Sequence, residues 1–119
     1  MINKREMGTG GEAIAADFLE KNGLKMIDMN YRNRYGEIDI VAKDTDSLVF
    51  VEVKLRKDDS AGHPLEAVDK KKQRIIRNVA AHFMYNKGYG EDTACRFDVV
   101  GIIKDGAGEP EIFWVKDAF

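Results

Sequence analysis

Apolar residues recur along this chain with two different periods. In "GGEAIAADFLEKNG", Ile14, Ala15, Phe18 and Leu19 fall on one helical stripe, and Gly23 follows where a helix stops. In "GHPLEAVDKKKQRIIRNVAAHFMYNKG", Val68, Ile75, Ile76, Val79 and Phe83 repeat the helical spacing and predict a second, longer helix. Pro64 suits its first turn, Asp69 suits an N-cap that restarts it after a short turn, and Gly88 ends it. Elsewhere the period is two. "LKMIDMNYR" predicts a strand, and "YGEIDIVAKDTDSLVFVEVKLR" predicts a hairpin with strands near 37–43 and 48–56. "CRFDVVGII" and "EIFWVKDAF" predict two more, separated by the turn-forming "KDGAGEP". The order helix, three strands, helix, strands predicts an α/β fold, a mixed central sheet flanked by helices. At 119 residues the chain reads as one domain, 1–119, able to bury a single core.

The hairpin breaks its own pattern. Leu48, Phe50, Glu52, Lys54 and Arg56 share one face of the second strand; Val49, Val51, Val53 and Leu55 share the other. Leu48–Val51 is therefore apolar on both sides, as in a strand covered on both faces. Glu52 and Lys54 continue that covered region. If the loop is the two residues Thr45-Asp46, or the four residues 44–47, Asp39 faces Glu52. A three-residue loop without a bulge would put them on opposite faces.

When they are paired, the two carboxylates lie ~5 Å apart. At an effective dielectric of ~20 they repel by about 3 kcal/mol. Lys54 would cancel part of this and a divalent cation more, since Mg²⁺ favours carboxylate oxygens. Such a metal could orient a water and lower its pKa, with Lys54 holding that water or neutralising charge on a phosphate. The competing reading is an ordinary polar face with a cross-strand salt bridge.

Composition narrows the partners. A formal charge of −2 and a pI near 5.7 exclude attachment to DNA by bulk charge alone. Positive charge is nonetheless concentrated: Lys70 to Lys87 holds Lys70, Lys71, Lys72, Arg74, Arg77 and Lys87 and no acid. Three lysines in a first helical turn oppose the helix dipole, whereas a phosphate backbone nearby would favour them. Arg32, Arg34, Arg56 and Lys57 flank the hairpin charges and extend the patch. The single cysteine, Cys95, excludes an internal disulfide and suits a reducing compartment. "MINKREMGTGGE" has no apolar signal core, and no apolar run reaches the ~20 residues of a membrane span. The expectation is a cytoplasmic protein without membrane partners.

The spacing of Asp39, Glu52 and Lys54 resembles the PD-(D/E)xK nuclease core. More widely, "GTGGEAIAADFLEKNG", "NYRNRYGEIDIVAKD", "LVFVEVKLR", "AVDKKKQRI", "CRFDVVGI" and "WVKDAF" resemble the YraN-like uncharacterised bacterial family. That family is similar to Holliday-junction resolvases and restriction-type endonucleases. The resemblance implies a restriction-endonuclease-like core and a DNA endonuclease, with branched or junction DNA among its candidate substrates, using Mg²⁺ or Mn²⁺. It implies Asp39 and Glu52 as metal-binding acids, Lys54 as the catalytic lysine and the main-chain carbonyl of Val53 as a further ligand. Glu12 would act through a metal-bound water, and Lys72 and Gln73 would approach the site from the second helix. A resolvase-like role would suit a homodimer. Thr45 departs from the glycine expected in the family's turn. The alternative is a nucleic-acid-binding protein on a nuclease fold with weak or no catalysis; a partner-binding domain is a third reading.

Other residues point to structure. His63 suits a turn or cap better than a general base, His82 has no ligand-spaced neighbour, Cys95 suits the core, and Trp114 and Phe119 suit packing better than stacking on a base. Asp98 is expected to pair with Arg96 or another basic residue, a structural role. Gly36 suits either a plain turn or close approach of the backbone to a ligand.

Overall fold

The structure is a computed structural model that describes residues 10–58, 60, 62–63 and 68–119. In chain order its elements are α1 (Gly11–Lys21), β1 (Lys25–Asn33), β2 (Gly36–Asp44), β3 (Ser47–Arg56), α2 (Lys70–Asn86), β4 (Cys95–Ile103) and β5 (Glu111–Val115). The expected position of Pro64 in the second helix lies outside the described residues.

Local chemistry sets the helix ends. After α1, Gly23 takes φ +94°, and the Leu24 N–H reaches back to the Leu19 carbonyl at 3.0 Å. This is a Schellman stop, which a residue with a Cβ resists. At the start of α2, Asp69 Oδ1 accepts the Lys72 N–H at 2.8 Å, the N-cap bond expected of it. Val68 precedes this cap, so it is buried beneath the helix entrance rather than on the helical stripe.

The five strands form one mixed sheet in the order β1-β2-β3-β4-β5. β3 and β4 are parallel, joined by the crossover that contains α2; the other neighbours are antiparallel. One face packs Ala15, Ala16 and Leu19 of α1 against Ile40, Val49, Val51, Val100 and Ile102. The opposite face packs Ile76, Val79 and Phe83 of α2 against Val41, Leu48, Phe50 and Val99. The run Leu48–Val51 is thus buried on both sides, as its composition predicts. Cys95 departs from expectation. It opens β4 but is exposed, since the buried part of that strand begins only at Phe97. Among the described residues no helix is long and apolar enough to cross a membrane.

The hairpin loop is two residues. Asp44 pairs with Ser47, and the register runs on to Ile40 opposite Val51. Strict alternation then fails. Ile40 packs on the α1 side, whereas Ile38 packs on the α2 side; Met29 and Tyr31 on the neighbouring strand divide in the same way. Between each pair lies one residue, Asp39 on β2 and Asn30 on β1, and Asn30 has φ +52°. The sheet therefore turns locally at Asp39, and the β2–β3 ladder ends there.

Candidate functional site

Asp39 sits where β2 leaves β3. The ladder ends at Ile40–Val51, and one further rung of that register would set Asp39 opposite Glu52, whose charge acts on it. Its Oδ2 accepts the Val53 main-chain N–H at 2.7 Å, so the carboxylate holds a donor that the ladder has released. Residues on a strand direct N–H and C=O to the same side. The Val53 carbonyl therefore also faces the departing end of β2. Even-numbered β3 residues face β4 instead: the Leu48 N–H donates to Ala94, and the Arg56 carbonyl accepts from Lys104.

The electrostatics follow from this placement. Asp39 is 9% exposed. Burial and the neighbouring Glu52 push its pKa up to about 7 against the restraining Val53 N–H, and Glu12 and Glu37 add smaller upward pushes. Glu12 lies in the first turn of α1, which packs closely on β3: a Cβ on Gly11 would come within 3.2 Å of Leu55 Cβ. Glu52 has a side chain only 13% exposed and pairs with Lys72 Nζ of α2 at 3.2 Å. The Glu52 carboxylate in turn holds Lys72 protonated, raising its pKa. Glu52, Lys54, Val68, Asp69 and Lys72 line a polar pocket of about 160 Å³. Three of the charges expected from the hairpin thus converge at one end of the β2–β3 pair. Among the described residues, no group of three or more His, Cys, Asp and Glu side chains is arranged to hold a metal. Direct side-chain ligation would fall to Asp39 and Glu52.

The basic residues divide. Lys70, Lys71 and Arg74 are exposed on α2. Gln73 is occupied at the helix entrance, donating to the Val68 carbonyl at 2.8 Å. Arg77 lies over the rings of Phe97 and Phe119, 4.8 and 5.7 Å from their centroids, and serves packing. Arg32 pairs with Glu37 at 2.7 Å across the β1–β2 turn, and Arg34 donates to the Tyr35 hydroxyl at 2.7 Å. Arg56 donates to the adjacent Leu55 carbonyl. These three arginines therefore have local partners besides any anion they meet.

Gly36 does make a close approach, but to protein. A Cβ there would lie 2.8 Å from Ile75 Cγ2, and φ is +148°. The glycine lets the β1–β2 turn press against α2. Asp98, 0% exposed, accepts from Arg96 Nε, Trp114 Nε1 and the Asp117 N–H, which makes it a structural acid. Phe119 stacks on Phe97, and His63 meets Phe113 edge to face. Sequence reasoning did not find Asp69 as a pocket wall. Its signal was the N-cap position itself, which anchors α2 so that Lys72 meets Glu52.

Comparison with known proteins gives one consistent result. Residues 11–102 match the Uncharacterised protein family UPF0102. A UPF0102 protein of Rhodococcus jostii strain RHA1 is 42% identical over 119 residues, covering all of both chains. Relatives from Lachnoclostridium phytofermentans and Caldicellulosiruptor bescii are 43% and 44% identical over 118 and 119 residues. The Lachnoclostridium match covers 99% of this chain and 96% of the relative, and the Caldicellulosiruptor match 99% and 100%. The match spans α1 through nearly all of β4, the elements that carry Asp39, Glu52 and Lys54, and the chain belongs to the UPF0102 family.

Proposed function

We propose that this chain is a metal-dependent DNA endonuclease on a restriction-endonuclease-like core. The observation that carries this reading is the convergence of Asp39 and Glu52 at the end of the β2–β3 ladder, beside a pocket walled by Lys54 and Lys72. The donor set fits a hard divalent cation. Mg²⁺ is commonly held by one or two carboxylates and keeps several waters, so a third side-chain ligand is not required. Asp39 and Glu52 would hold Mg²⁺ or Mn²⁺, with the Val53 carbonyl on the same side of the strand. A bound divalent cation supplies charge neutralisation and a more acidic water.

The protein's own groups do the rest. The Val53 N–H orients Asp39. Lys54 lies on the pocket wall, where an ammonium can hold the attacking water or neutralise charge on the phosphate. Glu12 acts from α1 through water. Lys70, Lys71 and Arg74 present positive charge to the DNA backbone. Symmetric cutting of a branched substrate would need two such sites, so this reading includes a homodimer.

The Lys72–Glu52 ion pair favours a second reading, a nucleic-acid-binding protein with weak or no catalysis, because a lysine already neutralises Glu52. One experiment separates the two. Branched and linear DNAs are incubated with the protein and Mg²⁺ or Mn²⁺, beside an Asp39→Asn/Glu52→Gln double variant. Cleavage by the wild type alone supports the nuclease. Cleavage that persists in the variant sinks the mechanism. Uncut substrates with tight, salt-sensitive binding support the second reading.

A further inference from the structure

The exposed face of α2 changes character along its length. Lys71, Arg74, Asn78, Ala81 and Tyr85 are all exposed. They follow one another at spacings of three and four, so they form a single stripe. The stripe begins with cations beside the pocket wall at Lys72 and ends in an aromatic. Tyr85 is 82% exposed, although a tyrosine ring usually covers apolar surface. Ala81, His82 and Tyr85 line a shallow apolar depression of about 370 Å³. The His82 imidazole stacks on the Tyr35 ring, centroids 4.2 Å apart and planes 24° apart. The Arg34 guanidinium carbon lies 5.0 Å from the centroid of that same tyrosine. Among the described residues the Tyr85 ring is left largely uncovered. The Arg34 cation borders the depression from the β1–β2 turn, and Lys71 and Arg74 lie two to three turns earlier on the same stripe.

We propose that this stripe is a single-stranded nucleic-acid path, with Tyr85 as its base-stacking platform and Lys71 and Arg74 as its phosphate contacts. The proposal rests on the nuclease reading and adds its substrate class: a DNA with an unpaired arm. Non-specific single-strand sites combine positive charge that tracks the backbone with aromatic rings that stack bases. From Lys71 to Tyr85 the helix runs about 21 Å, the length of roughly six stacked nucleotides. Duplex DNA offers phosphates to the lysines but keeps its base faces stacked internally, so Tyr85 gains nothing from it.

The test is fluorescence anisotropy of a labelled 12-nucleotide single strand and a 12-base-pair duplex, in EDTA so that no cleavage intervenes. Tyr85→Ala is expected to weaken single-strand binding by roughly 5- to 100-fold and to change duplex binding by less than about twofold. Tyr85→Phe should retain wild-type binding, since stacking needs the ring and not the hydroxyl. Lys71→Ala and Arg74→Ala should each lower the salt dependence, which Tyr85→Ala should leave unchanged. Unaltered single-strand binding by Tyr85→Ala, or an equal loss for both DNAs, overturns the inference. So does a wild-type dimer in sedimentation that Tyr85→Ala dissociates, because the stripe is then a self-association surface. Tight duplex binding with an indifferent Tyr85→Ala defeats this inference alone, whereas a wild type that binds neither DNA defeats the nuclease reading with it.

Discussion

The Val53 main-chain N–H donates to Asp39 Oδ2 at 2.7 Å. A continued β2–β3 ladder would direct that N–H to Ile38, but Ile38 has turned to the α2 side of the sheet. The side chain of Asp39 takes over the bond. A carboxylate is thereby fixed in a nearly buried position, facing another carboxylate, at a place where the main chain has stopped pairing. Fold and site are the same feature here: ending the ladder releases the donor that orients the acid.

That arrangement makes stability depend on pH in an unusual direction. Asp39 ionises in the folded protein near pH 7, above the ordinary 3.8 of an aspartate. Between these values the folded state binds more protons than the unfolded, so stability falls as pH rises. The contribution of protonated Asp39 is fully present below about pH 4 and lost once pH has passed about 7. Its full span is at most ~4 kcal/mol. Asp39→Asn keeps an oxygen for the Val53 N–H and removes the charge. Metal-free Asp39→Asn should therefore melt at or above the wild-type temperature at pH 8, with a flatter pH profile. Calorimetry with Mg²⁺ should show wild-type affinity falling about tenfold per unit below pH 7, and no binding by the variant. A variant less stable than wild type at pH 8 would contradict this account of Asp39.

Lys72 neutralises Glu52 in the metal-free protein and should compete with a cation for it. Lys72→Met is predicted to bind Mn²⁺ several-fold more tightly while binding DNA more weakly. The two readouts move in opposite directions, which a general loss of structure would not produce. The stability cost should stay below about 1 kcal/mol, because the lysine is half exposed. Isothermal titration with Mn²⁺ and anisotropy with duplex DNA check the pair.

Asp98 should behave as the opposite kind of acid. It is fully buried and accepts from Arg96, Trp114 and the Asp117 N–H. Among the described residues, Asp98→Ala leaves Arg96 with Asp44 as its remaining anion and strips the Trp114 indole N–H of its acceptor. The predicted loss is about 3–5 kcal/mol, read from urea denaturation followed by Trp114 fluorescence. Metal affinity of the surviving folded fraction should be unchanged, since Asp98 contacts neither Asp39 nor Glu52 in this network.

Much of this was legible in the residues. The double-faced apolar run at Leu48–Val51 predicted a covered strand, and the covered strand made Glu52 and Lys54 conspicuous. Asp69 was readable as an N-cap because capping is local. Other features depend on long-range geometry that periodicity does not encode. The switch of Ile38 and Tyr31 to the other layer needs both strands to turn together at Asn30 and Asp39. Gly36 faces Ile75, thirty-nine positions away, and Arg77 leaves the basic patch only because Phe97 and Phe119 lie beneath it. The exposure of Cys95 likewise depends on where along β4 burial begins, at Phe97.

The hairpin turn offers the last prediction. Thr45 has φ +56°, and Asp46 does not share the left-handed conformation. A two-residue turn with a positive φ at its first position is the type II′ pattern, which favours glycine there. A β-branched side chain in that region is strained, because its Cβ and γ atoms crowd the neighbouring carbonyl. The turn's length fixes the register that sets Asp39 opposite Glu52, so the strain is tolerated by a well-defined β2–β3 ladder. Thr45→Gly removes the strain at the cost of a more flexible unfolded chain. The net expected gain is about 0.5–1 kcal/mol, a rise of a few degrees in Tm for a chain this size. Metal affinity and DNA binding should not change, because the register is the same with either residue. Thr45→Val, equally branched and unable to form a hydroxyl turn bond, should be no more stable than wild type in the same thermal scan. A destabilised Thr45→Gly would mean that the threonine side chain holds the turn by a contact stronger than its strain.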